Sequence, residues 1–185
     1  MRQIVKDLVS IIVDTMPIKE PIYEFGSLQV PGQEGFADLR PYFPNKGYIG
    51  ADLCEGPGVD QILDLHGLDI PMQSVGTALC LDTLEHVERP YVALSEIHRV
   101  LHPNGIAVVS TVLNYTLHNY PGDYWRFSPE GLKLIMKPFP QLFIGYAGWE
   151  EFPHTVIGVG FKGHTPDLSE FKDRYEQWKK DNRYP

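Results

Sequence analysis

The chain is poor in cysteine: 185 residues carry only Cys54 and Cys80. Two such residues build no disulfide framework and offer no metal-ligand spacing. They read as reduced thiols, which points to a cytoplasmic protein. Clustered positive charge is also missing. The formal charge is -8, and no Lys/Arg cluster occurs before the C-terminal tail. Such a chain lacks the electrostatic footprint of a nucleic-acid binder. No apolar run reaches the length of a membrane span. Residues 1–16 have the look of a signal peptide, but Asp7 and Asp14 interrupt the apolar run and no small-residue cleavage site follows. There is no internal repeat and no low-complexity tract. His66, His154 and His164 show no ligand spacing, so no metal is expected. The carboxylates are too scattered for a glycosidase-like pair. Gly-x-Gly-x-x-Gly is absent after the first apolar stretch, which disfavours a nicotinamide-dependent oxidoreductase.

What is present suits one globular domain. Apolar residues make up 43% and charged residues 22%, the proportions of an ordinary packed chain. The length suits a single core. We divide it into an N-terminal helical segment (1–20), a core (21–162) and a C-terminal helix and tail (163–185). In the first segment Ile4, Leu8, Ile11, Ile12 and Met16 fall at helical spacing. That helix is expected to lie against a sheet or to cap a site. Pro17 and Pro21 end it.

The core opens on Ile22-Tyr23-Glu24-Phe25-Gly26-Ser27, an apolar stretch that ends in an acid and then a glycine. It reads as a buried strand, over about 21–25, turning tightly over a ligand. Phe36, Leu39, Tyr42 and Phe43 suggest a short helix. Tyr48-Ile49-Gly50-Ala51-Asp52 is a second strand ending in an acid, placed to hydrogen-bond ribose hydroxyls. Glu55-Gly56-Pro57-Gly58 must be a loop. A third short strand is expected within 59–65, joined to the second by a link too short for a crossover helix. A fourth, over 74–81, is apolar enough to be central. A helix starting near Pro90 carries Val92, Leu94, Ile97, Val100 and Leu101. A fifth strand covers 106–112. Ser128-Pro129-Glu130 opens another helix, with Ser as cap and Pro at the first helical position. Final strands at 142–147 and 155–161 are close enough to pair antiparallel, and a charged helix covers 168–180. Strands alternating with helices predict an α/β three-layer sandwich, a Rossmann-like, mostly parallel seven-stranded sheet with an antiparallel last strand.

Residues 114–130 are long, aromatic and polar together, and a loop of that length in a compact domain is usually functional. Two readings stand side by side. In one, the rings plug the loop while Asp123 and Arg126 pair. In the other, the stretch is an acceptor pocket: Tyr120, Tyr124 and Trp125 form walls, Arg126 grips an anion, and His118 or Asp123 takes a proton. His86 is a further candidate to touch substrate.

Four stretches then carry a resemblance. They are Tyr23-Glu24-Phe25-Gly26-Ser27; Tyr48-Ile49-Gly50-Ala51-Asp52-Leu53; Leu81-Asp82-Thr83-Leu84-Glu85-His86-Val87; and Glu96-Ile97-His98-Arg99-Val100-Leu101-His102-Pro103-Asn104-Gly105-Ile106. Over residues 20–162 the chain resembles the class I S-adenosylmethionine-dependent methyltransferases, in the small subgroup that is little more than the core. The resemblance implies S-adenosylmethionine as cofactor. It places Gly26 and Ser27 under the methionine part with Glu24 near its amino group. Asp52 would hold the ribose and Leu53 would pack on the adenine. Asp64 and Leu65 would face the adenine edge, and Cys80, Leu81 and Asp82 would line the methionine part. One departure stands out. The family usually has Gly-x-Gly-x-Gly where this chain has Gly26-Ser27-Leu28-Gln29-Val30. Either the loop takes a different path, helped by Gly32, or cofactor affinity is reduced.

The resemblance implies methyl transfer to a small-molecule acceptor, an oxygen of a sugar or metabolite; the acidic charge and the lack of a long apolar run argue against nucleic-acid and membrane partners, and a homodimer is an option. The alternative is a non-catalytic relative that keeps the fold as a binding or scaffold subunit.

Overall fold

The computed structural model describes residues 2–32, 34–118 and 122–183. Seven strands form one sheet: β1 (Ile22–Phe25), β2 (Tyr48–Asp52), β3 (Gln61–Ile62), β4 (Val75–Leu81), β5 (Leu101–Val112), β6 (Gln141–Gly148) and β7 (Pro153–Phe161). Among the described residues four α-helices flank it: α1 (Gln3–Thr15), α2 (Pro90–Val100), α3 (Pro129–Ile135) and α4 (Ser169–Asp181). The strand order is β3-β2-β1-β4-β5-β7-β6. The first five strands are parallel, and β7 runs antiparallel to both of its neighbours. This is the mostly parallel sheet with an antiparallel last strand that the residue pattern predicts.

The layers follow from strand alternation, which sends successive side chains to opposite faces. In β4 every residue is buried. Ala78 and Cys80 face a core shared with Leu94 and Ile97 of α2 and Leu132 of α3. Leu79 and Leu81 face a second core, with Leu8 and Ile12 of α1 and Phe171 and Trp178 of α4. A central strand covered on both sides is expected to be largely apolar, and β4 is, with Thr77 as its one polar residue, its hydroxyl donating to the Lys19 carbonyl. The buried stripe of α1 is Val5, Leu8, Val9 and Ile12, with Ile4 and Ile11 only partly buried beside it. The helix is therefore rotated slightly from the stripe expected at Ile4 and Ile11. Trp178 seals the α1–α4 seam, its indole N–H donating to the Ile4 carbonyl at 3.0 Å.

The third strand is shorter than expected. Only Gln61 and Ile62 pair with β2, and both are exposed. The strand is at the sheet edge with one neighbour, so little packing holds more of it extended. The short helix expected around Phe36–Phe43 is a single tight turn, Arg40–Tyr42. Ser128 caps α3 as its sequence suggests, accepting from the Gly131 N–H at 3.1 Å.

Trp178→Ala should remove the packing between α1 and α4 along with that hydrogen bond. Destabilisation of about 3–5 kcal/mol is expected from the cavity left by a buried aromatic, read as a lowered urea midpoint with an unchanged slope.

Candidate functional site

The strand order reverses between β1 and β4. The chain leaves β1 toward β2 and leaves β4 toward β5, so a crevice opens beyond their carboxyl ends. A cavity of about 940 Å³ occupies that place, at the upper end of the size usual for small-molecule and cofactor sites. It runs from the end of β2 past β1 and β4 to the turn Leu84–His86 and the loop after β5.

At one end stands Asp52, half-buried at the carboxyl end of β2. Its Oδ2 accepts the Leu28 N–H and its Oδ1 the Cys54 N–H, each at 3.1 Å. Those two bonds fix the carboxylate, and each oxygen keeps a lone pair. Leu53 beside it is exposed, and Asp64 and Leu65 complete this end of the cavity. Asp64 also has local work, accepting from the His66 backbone N–H and ring Nδ1, both at 2.8 Å.

In the middle are Glu24, Gly26, Ser27, Leu81 and Asp82. Gly26 has φ +88°, and a Cβ there would run into the Thr83 side chain. Its missing side chain thus admits Thr83 from the neighbouring strand end. The loop does take a path that accommodates Leu28, but Gly32 has nothing near it. The room comes from the loop after β2, where a Cβ on Gly56 would meet the Leu28 side chain and one on Gly58 would meet the Ser27 carbonyl. Ser27 Oγ is buried without a hydrogen-bond partner.

Glu24 is 5% exposed, and its Oε2 accepts from the Tyr48 hydroxyl at 2.6 Å. Burial pushes its carboxyl up to about 7, against the pull of that hydrogen bond. Asp82 holds a left-handed backbone (φ 47°). Its carboxylate takes a two-pronged bond from Arg2, Nε to Oδ2 and Nη2 to Oδ1, each at 2.9 Å. The Ser110 hydroxyl donates to Oδ1 at 2.8 Å. Burial opposes the charge on Asp82, but Arg2 and Ser110 prevail and hold the carboxyl below its ordinary range. Arg2 also donates to Thr155 Oγ1 at 2.6 Å and stacks over the Tyr115 ring. The first helix therefore does cap the site, through a residue that helical spacing alone gives no reason to choose.

The other end is lined by Glu85, His86, Tyr115, His118 and Tyr124. His86 bonds through Nδ1 to the Gly122 carbonyl, and its ring meets that of His118 edge-on at 4.7 Å. Glu85 is fully buried, with Oε2 accepting from Thr111 Oγ1 at 2.8 Å. Burial first, and Asp82 second, push its carboxyl up to about 7.

The sequence candidates thus divide. Glu24, Gly26, Ser27, Asp52, Leu53, Asp64, Leu65, Leu81, Asp82, His86, His118 and Tyr124 share one cavity. Cys80 does not reach it: the thiol is buried in the core between the sheet and α2, where burial pushes it up and leaves it inert. Asp123, Trp125 and Arg126 stand behind the wall. The Asp123 side chain is 1% exposed and ion-paired to Arg126, and it accepts the His118 N–H at 2.7 Å. The Arg126 hydrogen bonds first hold its carboxyl far below the usual range, so it has no proton affinity to offer as a base. Arg126 spends its remaining donors on the Thr116 and Trp125 carbonyls, at 3.0 and 2.8 Å, which leaves no fork for an anion. Trp125 donates to the Val87 carbonyl at 3.0 Å. Tyr120 lies outside the described residues. Within 114–130, Asp123 and Arg126 pair as the plug reading expects, while Tyr115, His118 and Tyr124 line the cavity. Arg2, Thr83 and Glu85 were not singled out from sequence, and only the folded chain brings them in. Their one sequence signal is the position of Thr83 and Glu85 directly after the β4 acid.

A family model described as a methyltransferase domain matches residues 51–109, from the end of β2 into β5. Among curated proteins none matches. Solved structures do. A SAM-dependent methyltransferase from Thermotoga maritima, described as a possible histamine N-methyltransferase, is 18% identical with TM-score 0.62, over 86% of this chain and 89% of that one. A SAM-dependent methyltransferase from Archaeoglobus fulgidus is 15% identical with TM-score 0.64, over 88% and 95%. The 1,6-didemethyltoxoflavin-N1-methyltransferase of Burkholderia thailandensis, solved with bound 1,6-didemethyltoxoflavin and S-adenosylhomocysteine, is 18% identical with TM-score 0.60, over 85% and 79%. At these identities the likeness establishes the fold.

Two predictions come from the charges in this cavity. Arg2→Ala leaves Asp82 with Ser110 alone. It should cost about 2–3 kcal/mol by chemical denaturation, less than breaking a fully buried pair, because both side chains keep some exposure. Glu24→Gln should change how stability depends on pH. A carboxyl raised from its ordinary value to about 7 in the folded state binds more protons folded than unfolded. Its contribution is complete below about pH 4.5 and is lost as pH rises through 7. The wild type should therefore lose roughly 3 kcal/mol relative to Glu24→Gln between those limits, measured as the difference between two denaturation series.

Proposed function

We propose that the chain is a class I S-adenosylmethionine-dependent methyltransferase, a reading supported by the methyltransferase-domain match over residues 51–109 and by the shared fold, and that it methylates a small-molecule acceptor at an oxygen, in a sugar or another hydroxyl-bearing metabolite. The observation that carries the reading is the single cavity joining a strand-end acid, Asp52, to a proton-accepting wall of Glu85, His86 and His118.

The residues present fit the cofactor. Asp52 has lone pairs left for two vicinal hydroxyls, and Leu53 and Leu65 give the adenine apolar contact. Ser27 Oγ, buried and unpartnered, is a polar atom in want of a ligand at the place assigned to the methionine part. When bound, S-adenosylmethionine supplies a methyl group already activated on a sulfonium.

The chain's own task is then chiefly positioning, which supplies much of the rate in a displacement of this kind. Asp82, its charge met by Arg2 and its position fixed by Arg2 and Ser110, offers carboxylate oxygens in mid-cavity as hydrogen-bond acceptors. Tyr115 and Tyr124 line the end of the cavity where the acceptor would sit. An amine acceptor need only be neutral, whereas a hydroxyl must give up a proton. A wall with two imidazoles and a carboxyl raised to about 7 is the reason for favouring oxygen over nitrogen.

Calorimetric titration with S-adenosylhomocysteine tests the reading. Micromolar binding by the wild type, lost by Asp52→Ala with the fold intact, is the expected result. A folded wild-type protein that binds nothing would favour the non-catalytic scaffold.

A further inference from the structure

We propose that Glu85, His86 and His118 form a binding site for a divalent first-row transition cation at the acceptor end of the cavity. One ligand atom from each lies within 4.8 Å of the other two. Two imidazoles with one carboxylate suit zinc- or iron-type ions and keep coordination positions open. Magnesium and calcium favour all-oxygen shells. The sequence hid this grouping, because His118 stands far along the chain from the Glu85-His86 pair. His118 is also the adaptable ligand: it sits on a loop, with its side chain 36% exposed.

The hydrogen bonds around the two rings point the same way. A carbonyl oxygen only accepts, so the nitrogen facing it must carry the proton. His86 Nδ1 faces the Gly122 carbonyl, and His118 Nδ1 faces the Thr116 carbonyl at 3.1 Å. In each ring Nε2 is left as the bare lone pair. An imidazole that donates from its far nitrogen to a backbone carbonyl is oriented as metal ligands are. Asp123 Oδ2, at 3.6 Å from His118 Nδ1, adds a carboxylate behind that ring.

Glu85 supplies an independent observation. It is fully buried and lines the cavity, yet Oε1 has no hydrogen-bond partner. A buried carboxylate oxygen left unpaired is costly and calls for a partner. The charge balance agrees. Asp82 is neutralised by Arg2, while among the described residues no ion pair takes Glu85. A cation supplies both the missing partner and the missing charge.

The role of the cation rests on the methyl-transfer reading, and with an ion bound the three side chains serve as its ligands in place of accepting the acceptor's proton. An acceptor hydroxyl in an open coordination position would be acidified as metal-bound water is. Its proton passes to water, and an oxygen lone pair forms the new bond to the methyl carbon. The sulfur–carbon bond breaks with its electrons left on sulfur.

The test uses the full chain, His118→Ala and Glu85→Gln, each checked for folding by circular dichroism. Co²⁺ is titrated by visible absorption and Zn²⁺ by calorimetry, with S-adenosylhomocysteine titrated in parallel. One equivalent of each ion should bind the wild type, and each substitution should weaken that binding roughly tenfold or more. A folded wild type that binds neither ion, or variants that bind as tightly as wild type, would overturn the site. Should Glu85→Gln not fold, His118→Ala decides alone, since its loop position is no part of the core. Ion binding without S-adenosylhomocysteine binding would sustain the cation site and remove the methyl-transfer reading. The reverse would remove the cation site only.

Discussion

Neither connection that leaves β1 and β4 covers the gap between their carboxyl ends, and the whole candidate site hangs on that gap. What keeps it in shape is one close contact. Gly26, with its positive φ and no Cβ, lets Thr83 lean across from the end of β4. The Thr83 hydroxyl lies 3.0 Å from the Leu81 carbonyl and 3.3 Å from that of Phe25, so it stitches the two strand ends together. A side chain at position 26 would push them apart. The cavity that opens beyond them, and the turn that carries Glu85 and His86, take their positions from that stitch.

Asp82 extends the same constraint to the far side of the molecule. A charge taken from water must be paired, and here the partner comes from residue 2, eighty positions away. Arg2 is held where it is by α1. That helix is held in turn by Val5, Leu8 and Ile12 against the sheet and by Trp178 of α4. A chain of packing therefore runs from the C-terminal helix to the middle of the cavity. Loosening α4 should be felt at Asp82. The N-terminal segment is part of the site in this sense, which a reading of it as a packing helix alone would miss.

Local pattern carried most of the fold. Tyr48–Asp52 is β2 to the residue, because an apolar run bounded by a turn and an acid leaves little choice, and β4 and α2 begin within a residue of their expected starts. The edge strand β3 was overestimated, since its length depends on how many neighbours it has and not on its own residues. In the site, the residues on strand ends were legible: Gly26, Asp52 and Asp82 each stand where a parallel strand must deliver them. Glu85 was not, because helix-start statistics explain a Glu there equally well and its burial is a tertiary fact. Asp123 and Arg126 misled for a related reason. Their types suit a pocket, but at three residues apart they satisfy each other and withdraw from the cavity.

The departure from Gly-x-Gly-x-Gly raises the question of how Leu28 is accommodated, and the packing of two loops shows where the room comes from. A glycine in such a loop is needed where two backbones, or a backbone and a ligand, come too close for a Cβ. Here the loop after β1 is laid against the loop after β2, with the Gln29 N–H donating to the Pro57 carbonyl at 2.9 Å. A close contact between two loops can be relieved from either side. In this chain Gly56 takes the Leu28 side chain and Gly58 accepts the approach of the Ser27 carbonyl. The glycines missing from one loop are supplied by the other, and a cavity of about 940 Å³ persists with Leu28 in its wall. Counting glycines along one loop misjudges a requirement that belongs to a pair of loops.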